Sequence, residues 1–144
     1  MRLAALLAAA FIATSTLTAA AEVEIVKDPD AWVDGALKQL TAGKTDDFAR
    51  SYLKLIDKPG SFDSFAGGLR VLSRIGAPAF VDKVVDQKYG TALREVVYVA
   101  QYQRTDYIYF KFTIKKHRDG WMISNFKFEN ETGDLFPKGF LTPG

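Results

Sequence analysis

The chain has no cysteine, a single histidine (His117), and a formal charge of only +2 from 19 basic and 17 acidic side chains. Each shortage excludes something. Without thiols there are no disulfides, no thiolate nucleophile, no iron–sulfur cluster, no cysteine-bearing zinc site and no lipid-modified N-terminal cysteine. One histidine cannot build a multi-histidine metal site. A charge so near zero does not suit a protein that holds nucleic acid by neutralising phosphates. Glycine-rich phosphate loops, serine nucleophile elbows and HExxH are missing as well. Beyond the N-terminus no run is apolar over the about 20 residues that a membrane-spanning helix needs. No cofactor and no metal is implied.

What is present begins with Arg2, followed by an uncharged run from Leu3 to Ala13 and by small and hydroxyl residues leading to Ala19-Ala20-Ala21. A positive start, a short apolar centre and small residues at the last positions form the pattern of a cleaved secretory signal. The expectation is that residues 1–21 are removed after Ala21 and that the product is periplasmic or secreted. The apolar run is too short to favour the alternative, a membrane anchor. Residues 22–144 then form one domain of roughly 120 residues, large enough to rest on packing without disulfides.

Three helical patterns open that domain. Asp28-Pro29-Asp30 reads as an N-cap with proline at the first helical position, and Val33, Ala36, Leu37 and Leu40 recur at helical spacing until Gly43. Thr45 is expected to cap a second helix, with Phe48, Ala49, Tyr52, Leu53 and Ile56 as its buried stripe. A third is expected from Ser61 or Asp63 to Gly76, with Phe65, Leu69, Leu72 and Ile75 facing inward. Gly67-Gly68 inside it suggests a close backbone approach or a bend, with room for a ligand as the other reading.

The texture changes after Pro78. Residues 80–89 fit a short helix or a strand, and their valines favour the strand. Glu95–Tyr102 is rich in β-branched and aromatic residues, Arg104-Thr105-Asp106 makes a tight link, and Ile108, Phe110, Phe112 and Ile114 alternate with polar neighbours. Asp119-Gly120 signals a hairpin. In the last strand Trp121 and Ile123 share one parity and Phe126 and Phe128 the other, so one extra residue near Ser124-Asn125 is needed to bring all four to one side. A β-bulge is predicted there. The tail, 131–144, carries Leu135, Phe136, Phe140 and Leu141, read either as a segment packed over the core edge or as an arm for a partner.

Few side chains suggest chemistry. His117, between Lys116 and Arg118, reads as an exposed turn residue. Asp82 and Asp86, four apart, could share a face and split acid and base roles in a pocket, but Lys83, Lys88 and Arg94 nearby favour a solvated charged edge. Tyr98 and Tyr102 are more telling. They share a parity with Arg94, Val96 and Ala100, and if that parity faces inward, both phenols need a hydrogen-bond partner or a ligand, with Arg94 at the rim. The opposite parity offers Val97, Val99, Gln101 and Gln103.

Three N-terminal helices before a meander of long antiparallel strands, with Tyr89-Gly90, Val97-Tyr98-Val99, Tyr109-Phe110-Lys111-Phe112, Asp119-Gly120-Trp121 and Phe126-Lys127-Phe128, resemble small exported bacterial members of the NTF2-like (SnoaL-like, cystatin-like) superfamily. The resemblance covers residues 28–130 in order of elements. It implies an α+β fold, three helices on a strongly curved antiparallel sheet of about four strands, closing as a cone around a pocket. Some members are isomerases, dehydratases or hydrolases that pair Tyr with Asp, Asp with His, or Asp with Arg; many bind or dimerise without catalysis. No motif here matches such a pair, so no catalytic residue is carried over. The preferred reading is a non-catalytic module holding a small apolar molecule in the cone, with Tyr98, Tyr102 and Arg94 as binding residues. A dimerisation or interaction domain of the cell envelope and a Tyr/Asp-based isomerase or dehydratase are the alternatives.

Overall fold

The computed structural model describes residues 24–103, 106–131, 135 and 136. The leader 1–21, the Arg104-Thr105 link, and Phe140 and Leu141 of the tail lie outside the described residues. Three helices come first: α1 (Pro29–Thr41), α2 (Thr45–Leu55) and α3 (Phe62–Arg74), with a 3-10 turn at Pro59–Ser61. Four strands follow: β1 (Phe80–Tyr89), β2 (Leu93–Gln101), β3 (Tyr107–His117) and β4 (Gly120–Glu129). They pair antiparallel in chain order as one open sheet with β1 and β4 at its edges, giving an α+β fold. Among the described residues no helix is long and apolar enough to cross a membrane.

Helix α1 starts as its sequence dictates. Asp28 Oδ1 accepts from the Ala31 N–H at 3.0 Å, Pro29 opens the helix, and Val33, Ala36, Leu37 and Leu40 are buried. Gly43, at φ +74°, follows its C-cap in the left-handed conformation that ends helices. Helix α2 departs from expectation at both ends: Leu55, not Ile56, is its last buried residue, Ile56 being the half-buried C-cap, and Thr45 does not cap. Lys44 is the N-cap, without a side-chain bond, and Thr45 is already helical and only 3% exposed. The link from α1 is so short that Thr45 is already the first helical residue, and its side chain is buried. In α3, the close approach expected at Gly67-Gly68 does not exist. A Cβ at either would meet nothing within 4 Å, and both are exposed while Ala66 and Leu69 are buried. These glycines face solvent and merely weaken helix propensity.

Residues 80–89 are a strand, paired with β2 along their length. In β4 the parity conflict is resolved as the pattern requires. Thr113 pairs with Asn125 and Ile114 with Ile123, leaving Ser124 as the extra residue, and its Oγ donates to the Thr113 carbonyl at 3.3 Å. Ile123 and Phe126 thereby reach the core, and Trp121 and Phe128 pack against it. A second bulge was not legible in the sequence: Lys83 pairs with Tyr98 and Val85 with Val97, so Val84 is unpaired with β2.

The core lies between one face of the sheet and the helices. Phe48, Phe110, Phe112, Leu40, Leu69 and Leu72 are fully buried there, and Trp32 meets Phe112 edge-on at 6.3 Å across the layers. Two terminal segments lie elsewhere. Val26 bridges Trp121 through two backbone hydrogen bonds of 2.8 and 2.9 Å, covering the start of β4. Leu135 is 1% exposed and Phe136 meets Tyr109 edge-on at 5.6 Å. Tyr109 alternates with the inward Phe110, so this part of the tail packs on the outer face of the sheet rather than over the core edge.

Candidate functional site

Strand β2 supplies the row that the sequence singles out. Val96, Tyr98, Ala100 and Tyr102 all belong to the core between sheet and helices, so this parity faces inward. Val97 and Val99 are also buried, on the outer face, which is why β2 reads as a continuous apolar run rather than a clean alternation.

Arg94 begins the row, with its side chain 14% exposed. Its Nε and Nη2 donate to the two carboxylate oxygens of Asp86 on β1, each at 2.7 Å, and Nη1 donates to Asp30 in the first turn of α1 at 3.1 Å. The fork geometry suits a carboxylate. Hydrogen bonds to Asp86 and Asp30 raise the Arg94 pKa further, and the Arg94 hydrogen bonds hold the Asp86 carboxyl below its ordinary value. This clasp ties the start of α1 to the sheet.

The sign of its pH dependence follows. Because the folded-state pKa of Asp86 is depressed, its stabilisation is present above the ordinary carboxylate value near 4 and is lost as pH falls through the folded value. Asp86→Asn is expected to cost about 1 kcal/mol at neutral pH, less than a buried charged hydrogen bond because Asp86 is 35% exposed. Urea titrations at pH 7 and near pH 2.5 should show the gap between the Asp86→Asn variant and the parent closing in acid; a gap that widens in acid would contradict the clasp.

Further along, Tyr98 is 7% exposed and meets Phe112 edge-on at 6.5 Å. Lys83 Nζ stands 5.6 Å from its ring centroid. Burial raises the Tyr98 pKa, the Lys83 ammonium opposes that rise, and Asp34 and Asp30 add to it. Tyr102 ends the row at 3% exposure, and among the described residues its hydroxyl has no hydrogen-bond partner. Burial pushes its pKa up to about 12. The contrast with Tyr52 is instructive. Tyr52 is as deeply buried, yet its phenol meets the backbone of Phe126.

The three sequence-named residues thus share one face but not one contact shell. Eight residues of strand separate Arg94 from Tyr102, roughly 26 Å. The other candidates separate too. The Val84 bulge puts Asp82, opposite Val99, on the outer face and Asp86, opposite Val96, on the inner one, so no carboxylate pair forms. His117 pairs with Gly120 across the hairpin, and its Nδ1 accepts from the Asp119 N–H at 3.2 Å. Asp30 and Lys83 escaped the sequence reading. Asp30 lies 64 positions from Arg94 and already had a role at a helix start, and Lys83 reaches Tyr98 through pairing that only the fold reveals.

Surface grooves occur on the helical layer. One of about 390 Å³ lies beside Arg50, Leu53 and Phe62, one of about 300 Å³ beside Lys44, Thr45 and Arg70, and one of about 220 Å³ beside Trp32, Gly35 and Gln39. None of the three is lined by Arg94, Tyr98 or Tyr102. Compared with protein-family models, with curated proteins and with solved structures, the chain matches none, and the reading of its site rests on the residues themselves.

Proposed function

We propose that this chain is an exported NTF2-like module that works without catalysis and holds a small, largely apolar molecule between sheet and helices, against Tyr102. The leader pattern at residues 1–21 supports export. Helices before a four-stranded meander support the family reading, and bulges at Val84 and Ser124 support a curved sheet, since each bulge bends its strand.

The observation that carries the binding proposal is the Tyr102 hydroxyl, buried with no partner among the described residues. Such a group costs about 1–3 kcal/mol unless something satisfies it. A bound molecule offering one acceptor would do so. The register places Ile108 opposite Ala100, one step along the same face, which supplies apolar contact. A Tyr/Asp enzyme finds less support, because two of the carboxylates around the row, Asp30 and Asp86, are committed to Arg94.

Native mass spectrometry of protein recovered from the cell envelope is expected to show a co-purified small molecule. Tyr102→Phe is expected to lose that molecule and to raise the stability of the ligand-free protein by about 1–2 kcal/mol, because the unpaired hydroxyl is gone. A ligand-free mass for the recovered parent protein, or a Tyr102→Phe variant less stable than the parent, would end this reading.

A further inference from the structure

Strand β1 is exposed over nearly its whole length; only Val85 is buried. It pairs with β2 alone, so its other edge presents free backbone donors and acceptors among the described residues. It also carries three exposed large apolar side chains, Phe80 at 45%, Val81 at 38% and Tyr89 at 42%. An unguarded edge of this kind invites any strand. Here Asp82, Lys83, Asp86 and Lys88 guard it, and the question is which partner meets those charges favourably.

The answer lies in the sequence of the strand, Phe80-Val-Asp-Lys-Val-Val-Asp-Gln-Lys-Tyr89, whose aromatic ends and central Lys83 and Asp86 are complementary about its midpoint. Laid antiparallel on a second copy about the Val84–Val85 centre, Phe80 stands opposite Tyr89, Val81 opposite Lys88, Asp82 opposite Gln87 and Lys83 opposite Asp86. The same set then repeats on the other side of the two-fold axis.

In a regular strand this register would fail, because it would set residues of opposite faces against each other. The bulge at Val84 corrects the phase. Lys83 pairs with Tyr98 and Asp86 with Val96, so both lie on the inner face; Asp82 pairs with Val99 and Gln87 with Glu95, so both lie on the outer face. Every flanking pair of the proposed dimer therefore shares a face. The neighbouring registers, two residues away in either direction, are worse: one sets Val81 against Asp86, and the other sets Lys83 against Lys88 and Val85 against Asp86, which lie on opposite faces.

We propose that β1 is a self-complementary edge through which two copies of this chain join their sheets into one eight-stranded antiparallel sheet about a two-fold axis. The contact is isologous, so it closes at two copies and leaves no further β1 edge to propagate. The guarding charges oppose other strands and other registers, while in this one the Lys83–Asp86 pair of each protomer, 3.6 Å apart, stands beside that of the other with its signs reversed. This proposal is independent of any ligand at Tyr102.

The absence of cysteine makes the test direct. Phe80→Cys and Tyr89→Cys variants are purified separately, then mixed and oxidised. A disulfide-linked dimer is expected in the mixture and in neither variant alone, because like positions lie at opposite ends of the paired strands, roughly 30 Å apart. Sedimentation equilibrium of the unmodified protein is expected to show a monomer–dimer equilibrium. Gln87→Lys, which sets Lys opposite Asp82, should tighten it about three- to tenfold, and Gln87→Asp should loosen it by a similar factor. A monomer up to about 1 mM, equal cross-linking of either variant alone, or a dimer indifferent to residue 87 would each overturn the proposal.

Discussion

Phe126→Ala is expected to be among the most damaging single changes in this protein, costing about 3–5 kcal/mol and lowering the thermal midpoint by roughly 10–20 °C. The reason is its place among the rings. Phe126 is 7% exposed, and its ring centroid lies 4.7 Å from Phe48, 5.1 Å from Phe112, 6.0 Å from Tyr52 and 6.4 Å from Phe65. It therefore joins α2, α3 and β3 through one side chain of β4. Removing the ring loses its transfer free energy and its edge-on contacts, and aromatic neighbours fixed by their own packing do not collapse fully into the space. Urea unfolding of the variant measures the effect, and a loss below about 1 kcal/mol would mean that the core is not organised around this ring.

Gly120→Ala is the second large effect, expected at about 2–4 kcal/mol although only one methyl group is added. Gly120 sits at φ +153°, and a Cβ there would lie 2.6 Å from Ile25 Cγ2 and 3.0 Å from the Val26 carbonyl oxygen. The carbonyl cannot retreat without loosening the paired hydrogen bonds between Val26 and Trp121. The variant must accept a strained backbone, a displaced N-terminal segment, or both. Hydrogen exchange should therefore show the Val26 and Trp121 amides losing protection first, alongside a lower unfolding midpoint. Unchanged protection at both amides would show that the contact is not needed.

These two positions also mark how far the sequence could be read. Phe126 was placed correctly because hydrophobic parity is local: the phase conflict between Ile123 and Phe126 requires an extra residue, and Ser124 is that residue. The same locality made α1 legible down to its cap and its four buried side chains. The inward face of β2 was narrowed to two choices but not decided, because Val97 and Val99 are buried as well as Val96 and Tyr98. A strand covered on both faces loses the alternation that would identify its core side. Gly120 was read only as a turn glycine, since its second duty, admitting Val26, depends on a segment far away in sequence. Asp86 was seen among charges, but its assignment to Arg94 depended on the unforeseen bulge at Val84. Contacts made between neighbours in the chain were readable, and those made by closure of the fold were not.

The Val26–Trp121 bridge has a bearing on the order in which the molecule assembles. Hairpins of the meander zip between adjacent segments, and each closes only a small loop. The bridge joins the segment ahead of α1 to the start of β4 and closes a loop that contains the three helices and the first three strands, an entropic cost incurred only once. Until the last hairpin exists, the amino-terminal segment has no seat. While β4 is unpaired, the segment ahead of α1 accordingly stays untethered, and the last hairpin and the bridge close the fold together.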